Sequence, residues 1–236
     1  MRRLRKAVLI IHGFTGNLND NEYLMNYLEY EPSFDVYAKT LPGHDGERFE
    51  DCKYTEWIGF VDQEIDNLIK NGYKTIYVIG HSMGGVLASI VASQYKEIKK
   101  LVLVNAAFDY LNFKQNKKDL FDNKDFAKYK GILDKALRTS PGFLIEFTKL
   151  VKRYKNVIDD INCDILILQS TDDEIIPLET GEFIYNNVSS KIKHLTYLNK
   201  CSHVVLKGDR KEEVSKYIRD YLKGGLRWKN TMKDEL

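Results

Sequence analysis

The chain has 236 residues, of which 43% are hydrophobic and 30% are charged, a balance typical of a soluble globular protein. Its 36 basic and 34 acidic side chains leave a formal net charge of +2, so we expect no bulk electrostatic attraction to nucleic acid or to an anionic membrane. No apolar run approaches the length of a membrane span, which argues against stable membrane insertion.

The three cysteines, Cys52, Cys163 and Cys201, are widely spaced and form no C-x-x-C pair. They predict neither a disulfide framework nor a zinc site, and they are typical of a protein from a reducing cytoplasm. A basic start followed by the apolar residues 7–11 superficially resembles a signal peptide, but this segment is too short and no cleavage pattern follows it. Without an entry signal, we interpret the terminal Lys-Asp-Glu-Leu as a coincidental match to a retention signal.

Short β-rich runs alternate with helical patterns along most of the chain. The predicted strands are residues 7–12, 35–40, 75–79, 100–105, 164–170 and 192–198. The predicted helices are residues 22–29, 57–71, 85–94, 178–188 and 210–223. This alternation implies βαβ units with right-handed crossovers, and it predicts an α/β fold with a mostly parallel sheet flanked by helices.

One interval, residues 109–160, contains no convincing strand pattern. Aromatic and aliphatic side chains recur there at helical spacing, and a stretch of this length in a compact domain indicates a helical insertion over the sheet. The insertion is either a set of extra helices packed on the core or a lid over a substrate pocket, and its position favours the lid. The predicted division is therefore a core of residues 1–108 and 161–236 and a helical cap of residues 109–160.

The pentapeptide Gly80-His81-Ser82-Met83-Gly84 matches the G-x-S-x-G pattern of a nucleophile elbow. An apolar run precedes it and a small-residue helical run follows it, which are the strand and the helix that such an elbow needs. The sharp turn forces the serine into a strained conformation, and glycines are required because a Cβ there would collide with the neighbouring strand and helix. Ser82 is therefore the predicted nucleophile.

A serine nucleophile needs a general base, usually histidine, and an acid that orients the base. His203 lies in a loop between the last predicted strand and the last helix, at the edge where active sites of such sheets form, and His12 and His44 are the next candidates. The acid is expected after the preceding strand, where Asp172-Asp173-Glu174 stand in a row. One member of this row is expected to meet His203, with Asp109 as the alternative.

The oxyanion of a tetrahedral intermediate needs hydrogen-bond donors. The backbone N–H of Met83 follows the serine directly at a helix N-terminus and is the first candidate. The second is expected in the loop after the first strand, which reads His12-Gly13-Phe14-Thr15-Gly16. Gly13 lets the backbone turn there, so that the N–H of Phe14 can face the pocket.

Together these pieces resemble the α/β-hydrolase superfamily, and within it the small bacterial carboxylesterases and monoacylglycerol lipase-like enzymes. The matching stretches are residues 9–16, 41–44, 80–85, 169–177 and 202–203. The resemblance implies a catalytic triad of Ser82, Asp173 and His203, with the acid at Asp173 rather than at Asp172. It also implies a minimal sheet of about six strands and a small helical cap at residues 109–160.

We expect hydrolysis of short- to medium-chain carboxylic esters or monoacylglycerols through an acyl-serine intermediate. The residues expected to bind the apolar acyl chain are Phe14, Met83, Phe113, Phe121, Phe143 and Phe147. Thioester or amide hydrolysis, acyl transfer, and a catalytically silent ligand-binding protein on the same scaffold are the alternatives. A small-molecule ester is the expected partner, no cofactor or metal is expected, and the sequence leaves the oligomeric state open.

Overall fold

The computed structural model describes residues 5–44, 49, 52–109 and 139–224 together with a final strand at 232–235. The strands are β1 (Lys6–Ile11), β2 (Phe34–Ala38), β3 (Ile76–His81), β4 (Ile98–Val104), β5 (Asp164–Ser170), β6 (Lys193–Leu198) and β7 (Met232–Glu235). They form one parallel sheet in the order β2-β1-β3-β4-β5-β6-β7. The fold class predicted from the sequence is confirmed, and all six predicted strands are present. The seventh strand, β7, was not predicted.

Helices cover both faces of this sheet. Those in the described part of the chain are α1 (Glu22–Glu29), α2 (Tyr54–Lys70), α3 (Met83–Gln94), α4 (Pro141–Tyr154), α5 (Glu179–Asn187) and α6 (Lys211–Lys223). Helices α2, α3, α4 and α5 contribute to one hydrophobic cluster, and α1 and α6 contribute to the other. The sheet is thus the middle of three layers, which is the arrangement that buries a parallel sheet on both faces.

The sequence of β1 shows why the strands read as continuous apolar runs. Side chains alternate between the two faces of a strand. Val8 and Ile10 therefore pack in the cluster with α1 and α6, while Leu9 and Ile11 pack in the cluster with α2 and α3. All four are buried. A strand between two helical layers has no polar face, so its hydrophobic pattern is unbroken.

The strand order reverses direction next to β1. Strand β2 lies on one side of β1, and β3 and all later strands lie on the other. In open parallel sheets, ligands bind at the carboxyl ends of the strands beside such a reversal. The loop that follows β1 and the turn that follows β3 both open at this point, so the fold brings Phe14 and Ser82 to one edge of the sheet.

Part of the predicted cap lies within the described residues. Helix α4 begins after Ser140, whose hydroxyl accepts a hydrogen bond of 3.0 Å from the N–H of Phe143, and Pro141 occupies the first helical position. A short 3₁₀-helix (Lys155–Asp160) connects α4 to β5. The predicted pocket residues Phe113 and Phe121 lie outside the described residues.

Among the described residues, no helix is long and apolar enough to cross a membrane.

Candidate active site

Ser82 lies in the turn between β3 and α3 with a strained backbone, φ 54° and ψ −121°. A side chain with a Cβ rarely adopts positive φ, and it does so only where the surrounding structure enforces it. Three hydrogen bonds enforce it here: the Ser82 N–H donates to Val104 O (3.0 Å), and the Ser82 carbonyl accepts from the N–H groups of Gly85 (2.9 Å) and Ala107 (3.1 Å). The position of the predicted nucleophile is therefore fixed by β4 and by its own helix.

The two glycines that flank the elbow are required by close backbone contacts. A Cβ on Gly80 would lie 2.3 Å from the carbonyl oxygen of Gly84, and a Cβ on Gly84 would lie 2.3 Å from that of Ile11. Neither neighbour is a flexible side chain that could move aside. The G-x-S-x-G spacing thus reflects how tightly α3 packs against β1 and β3.

His203 and Asp173 form the buried pair that the sequence analysis assigned as base and acid. The His203 Nδ1 lies 2.9 Å from Asp173 Oδ2 and 3.1 Å from Oδ1, and the two side chains are only 8% and 1% exposed. The N–H groups of Ile175 (2.8 Å) and Ile176 (2.9 Å) both donate to Asp173 Oδ1 and hold the carboxylate in place. A carboxylate at Nδ1 selects the tautomer whose Nε2 is free to accept a proton.

His81 connects the elbow to the His203 loop. Its Nε2 lies 2.9 Å from the His203 carbonyl oxygen, and the two ring centroids are 5.0 Å apart. A carbonyl only accepts, so His81 Nε2 carries the proton in this bond. Burial lowers the pKa of His81 to about 4, which keeps this ring neutral at pH 7. The imidazole of His81 thereby supports the His203 loop without placing a positive charge beside it.

The lowered pKa of His81 makes stability depend on pH. Below its ordinary pKa of 6.5, the unfolded chain binds a proton at this position that the folded chain excludes until about pH 4. The contribution is complete above pH 6.5 and is lost as the pH falls, so we expect His81 alone to lower the free energy of unfolding by about 2 kcal/mol between pH 7 and pH 5. Guanidinium titrations at the two pH values measure this drop. In His81→Gln, which keeps a donor but does not titrate, the drop should be smaller by that amount, and equal drops would contradict the assignment.

The loop after β1 passes directly over the nucleophile. A Cβ on Gly13 would lie 2.9 Å from the Ser82 Cβ. The Gly13 carbonyl is bonded by His12 Nδ1 (2.9 Å) and by the Gly16 N–H (3.0 Å). Because the C=O and N–H of a trans peptide point in opposite directions, these bonds direct the Phe14 N–H away from His12.

The other predicted oxyanion donor is the N–H of Met83. As the first N–H of α3, it has no acceptor within the helix. The assignment of the Phe14 and Met83 amides as oxyanion donors stays a prediction.

The two alternative bases have other partners. His12 Nε2 accepts from the Leu41 N–H (2.9 Å), so its Nδ1 carries the proton and donates to Gly13, and burial lowers its pKa. Both ring nitrogens of His12 are therefore occupied. His44 lies in an aromatic cluster, with its Nδ1 3.0 Å from Pro42 O and its ring 5.0 Å from that of Phe143.

Helix α4 packs on the predicted oxyanion loop through stacked aromatic rings. The Phe14 ring lies 5.0 Å from that of Phe143 and 4.6 Å from that of Phe147. Phe143 has no exposed surface and also contacts Trp57, whereas Phe147 is 7% exposed. Phe143 therefore lies in the interior of this aromatic cluster, while Phe147 lies closer to its surface. Met83 is also fully buried, and its predicted contact with an acyl chain stays a prediction.

The acids that compete with Asp173 lie elsewhere. Asp172 is exposed, and its backbone N–H donates to Cys201 O (3.1 Å). Asp109, the alternative acid, is 58% exposed and forms an ion pair with Lys155 at 3.3 Å. Glu174, in contrast, accepts a hydrogen bond from the His203 backbone N–H at 3.0 Å.

Sequence reasoning missed Asn105, which links three parts of the site. It follows β4 with a positive φ of 46°, a conformation that asparagine tolerates better than most residues. Its Nδ2 donates to Ser170 Oγ (2.9 Å) and to His203 O (3.0 Å), and its Oδ1 accepts from the Ser170 N–H (2.8 Å). The feature of the sequence that could have identified Asn105 is its position, because it is an asparagine directly after a buried strand.

All three cysteines are free thiols, and Cys52 and Cys201 are buried. Burial raises the pKa of Cys52 to about 11 and that of Cys163 to about 12, so both thiols are protonated at neutral pH and poorly nucleophilic. No group of three or more His, Cys, Asp or Glu side chains that could hold a metal occurs in the part of the chain that the structure describes.

Comparison with known proteins places these features in a family. The family model for the alpha/beta hydrolase fold matches residues 6–125, about half of the chain, and a second model, described as serine aminopeptidase S33, matches residues 127–210. The chain is 28% identical over 212 residues to a thermostable monoacylglycerol lipase of Bacillus sp. (strain H-257), covering 84% of this chain and 82% of that one. It is 27% identical over 230 residues to a carboxylesterase of Bacillus subtilis (strain 168), covering 92% of each.

Solved structures agree on the fold. A monoacylglycerol lipase of Paleococcus ferrophilus superposes with a TM-score of 0.73 at 20% identity, covering 93% of this chain and 95% of that one. A structure from the metagenome-derived lipolytic enzymes LipS and LipT superposes with a TM-score of 0.74 at 21% identity, covering 93% and 94%. With the family model matching half of its length and the same fold extending over nearly all of it, this chain belongs to the α/β-hydrolase fold family.

Proposed function

We propose that this chain is a serine hydrolase that cleaves short- to medium-chain carboxylic esters or monoacylglycerols. The observation that carries the proposal is the buried His203–Asp173 pair, with Nδ1 and Oδ2 2.9 Å apart, in a loop that contacts His81, the residue before the strained Ser82, through its carbonyl oxygen at 2.9 Å. The relatives named as a monoacylglycerol lipase and a carboxylesterase support the ester as substrate. The stacked rings of Phe14, Phe143 and Phe147 support an apolar acyl group.

The first half of the reaction transfers the acyl group to the enzyme. The Ser82 oxygen attacks the ester carbonyl carbon while His203 Nε2 accepts the hydroxyl proton. The carbonyl oxygen becomes an oxyanion, to which the N–H groups of Phe14 and Met83 donate. The C–O bond to the alcohol then breaks, and the His203 imidazolium gives its proton to the departing alkoxide. The products are a free alcohol and an acyl-Ser82 ester.

The second half restores the enzyme. Water attacks the acyl-serine carbonyl while His203 accepts one of its protons, and the same two N–H groups bind the second oxyanion. The bond between the acyl carbon and the Ser82 oxygen breaks, and His203 returns the proton to Ser82. Asp173 stays ionised and stabilises the imidazolium in both halves.

Two measurements test the proposal. A fluorophosphonate probe should label Ser82 covalently, and peptide mapping should locate the adduct on that residue. Turnover of p-nitrophenyl esters from acetate to palmitate, with monoacylglycerols beside them, should be highest in the short to medium range. A chain that is not labelled would be a silent ligand-binding protein on a hydrolase scaffold, which is the alternative that the proposal rejects.

Amide cleavage and acyl transfer are second candidates with specific support. The family model over residues 127–210 is described as a serine aminopeptidase. A relative 35% identical over 89 residues is the acetyltransferase component of the acetoin cleaving system of Cupriavidus necator, of which this chain covers only 22%. All of these reactions would use the same Ser82, so labelling of that serine does not distinguish them. Parallel assays on p-nitroanilides and acyl-CoA separate these activities from ester hydrolysis.

The division into a core and a cap of residues 109–160 belongs to the same proposal, as does a cytoplasmic location. The buried rings between α4 and Phe14 support a cap that borders the site. The three free thiols support a reducing compartment.

Phe147 offers a test of the acyl site. We expect Phe147→Ala to lower kcat/KM for octanoate esters by about 10-fold or more while acetate changes by less than about 3-fold, because each buried methylene contributes about 1–3 kcal/mol to discrimination. Ile145→Ala, on the same helix but 53% exposed, is the matched control. Phe143→Ala should instead cost about 3–5 kcal/mol of stability. Equal losses of Phe147→Ala on both esters would indicate a purely structural ring.

A further inference from the structure

The backbone of His203 is held by side chains from three separate segments. Its N–H donates to Glu174 Oε2 at 3.0 Å. Its carbonyl accepts from Asn105 Nδ2 at 3.0 Å and is 2.9 Å from His81 Nε2. Residues 203–207 form turns outside any strand, so these side-chain bonds replace the backbone partners that a strand or helix would supply.

This support matters because the base must be placed accurately. The Asp173 carboxylate fixes the ring of His203 but leaves the position of its backbone free. A displacement of about 1 Å in a catalytic group can lower the rate by about 100-fold. Asn105, which follows β4, and His81, at the end of β3, hold the carbonyl group of His203. Glu174, which lies in the same loop as Asp173, holds the N–H group of His203.

We infer that Glu174 is a positioning residue for the general base, fixing the His203 backbone through its carboxylate. The inference rests on the proposed function, in which His203 is the base. Two adjacent acids thus act on one histidine: Asp173 bonds to the ring, and Glu174 bonds to the main chain.

Rescue by the conservative variant provides a readout that mere structural support would not move. The bond to the His203 N–H needs an acceptor oxygen on a side chain of the right length, which glutamine retains and alanine lacks. A positioning role therefore predicts that the rate follows the acceptor while the unfolding temperature changes little.

Three variants separate position from charge. Glu174→Gln keeps an acceptor for the His203 N–H but loses the charge, and Glu174→Ala loses both. Asp172→Ala removes one negative charge two residues away on an exposed side chain, and it is the matched control. The measurement is the second-order rate of Ser82 labelling by a fluorophosphonate between pH 5 and 9, with kcat/KM on an ester beside it and thermal unfolding as a check on the fold.

We expect Glu174→Ala to lower the labelling rate at pH 8 by about 10- to 100-fold. Glu174→Gln should lose less than about 5-fold at pH 8, because its amide oxygen can still accept from the His203 N–H. Asp172→Ala should change the rate by less than about 2-fold. Should Glu174→Ala fail to fold, Glu174→Asp decides the matter, because a side chain one methylene shorter keeps the charge but draws its oxygens away from the His203 N–H and should show the same loss.

The outcomes distinguish the two proposals. If the unaltered protein is labelled and the Glu174 variants match Asp172→Ala in rate, the positioning role is overturned while the proposed function stands. If the unaltered protein is not labelled at all, the proposed function fails, and the role of Glu174 fails with it. Labelling without ester turnover would remove only the ester as substrate, because the probe reports on Ser82 and His203 without any ester.

Discussion

Ser82→Ala is expected to abolish turnover, with kcat reduced by at least about 10⁴-fold, and to leave the fold intact. Without the hydroxyl no acyl intermediate forms, and the losses of nucleophile and base do not add because the two act as a unit. His203→Ala should therefore be almost as damaging, and the double variant hardly worse than either. Initial rates on a p-nitrophenyl ester, with circular dichroism for the fold, measure the effect.

The structure indicates that Ser82→Ala removes the hydroxyl without disturbing the turn. Ser82 is 6% exposed, and the bonds that hold the turn come from its backbone, which alanine retains. Alanine shares the positive-φ strain of serine at this position, so unfolding should change little. Ser89→Ala, which removes a buried hydroxyl bonded to Gly85 O in the middle of α3, is the control for loss of a hydroxyl alone. Turnover of Ser82→Ala within a few-fold of the unaltered protein would make Ser82 a turn residue.

Asp173→Asn is expected to lower kcat by about 10⁴-fold, the loss known for the equivalent substitution in serine proteases. An asparagine at this position can present an N–H to His203 Nδ1, which favours the wrong tautomer and removes the charge that stabilises the imidazolium. Two backbone N–H groups, from Ile175 and Ile176, also bind Asp173 Oδ1, so the asparagine oxygen is drawn to them and its amide turns towards the ring. Steady-state kinetics at pH 8 test this.

Asp172→Asn and Asp109→Asn are the controls for this prediction. Both remove one negative charge, but Asp172 is exposed and Asp109 pairs with Lys155 at the surface. Each should change kcat by less than about 3-fold, since exposed ion pairs contribute little. A larger loss for Asp172→Asn than for Asp173→Asn would shift the acid by one residue and overturn the assignment.

The fold could be predicted well because its signals are local. Each buried strand appears as a short apolar run and each helix as a periodic pattern, so the alternation was visible without any knowledge of contacts. The missing strand, β7, shows the limit. It pairs with β6 through Met232, Asp234 and Glu235, and its charged sequence resembles a tail rather than a strand. An edge strand has one hydrogen-bonded neighbour and needs no continuous apolar run, so a hydrophobic pattern does not reveal it.

The sequence by itself was enough to predict Ser82 as the nucleophile. Gly80 and Gly84 are required by close backbone contacts within the turn and against β1, and this requirement leaves a spacing in the sequence that can be read directly. The base and the acid could be narrowed to loops at the carboxyl ends of strands, because parallel strands bring those ends to one edge.

The family resemblance pointed to Asp173, but only the tertiary structure decided what each of the three acids contacts. Asp172, Asp173 and Glu174 are neighbours of equal charge, and their chemistry depends on direction: one faces solvent, one the ring of His203 and one its backbone. The same holds for His81 and Asn105, whose partners lie 122 and 98 residues away. A side chain in a loop has no periodicity to fix its direction, so its role is set by long-range packing, which the sequence pattern does not contain.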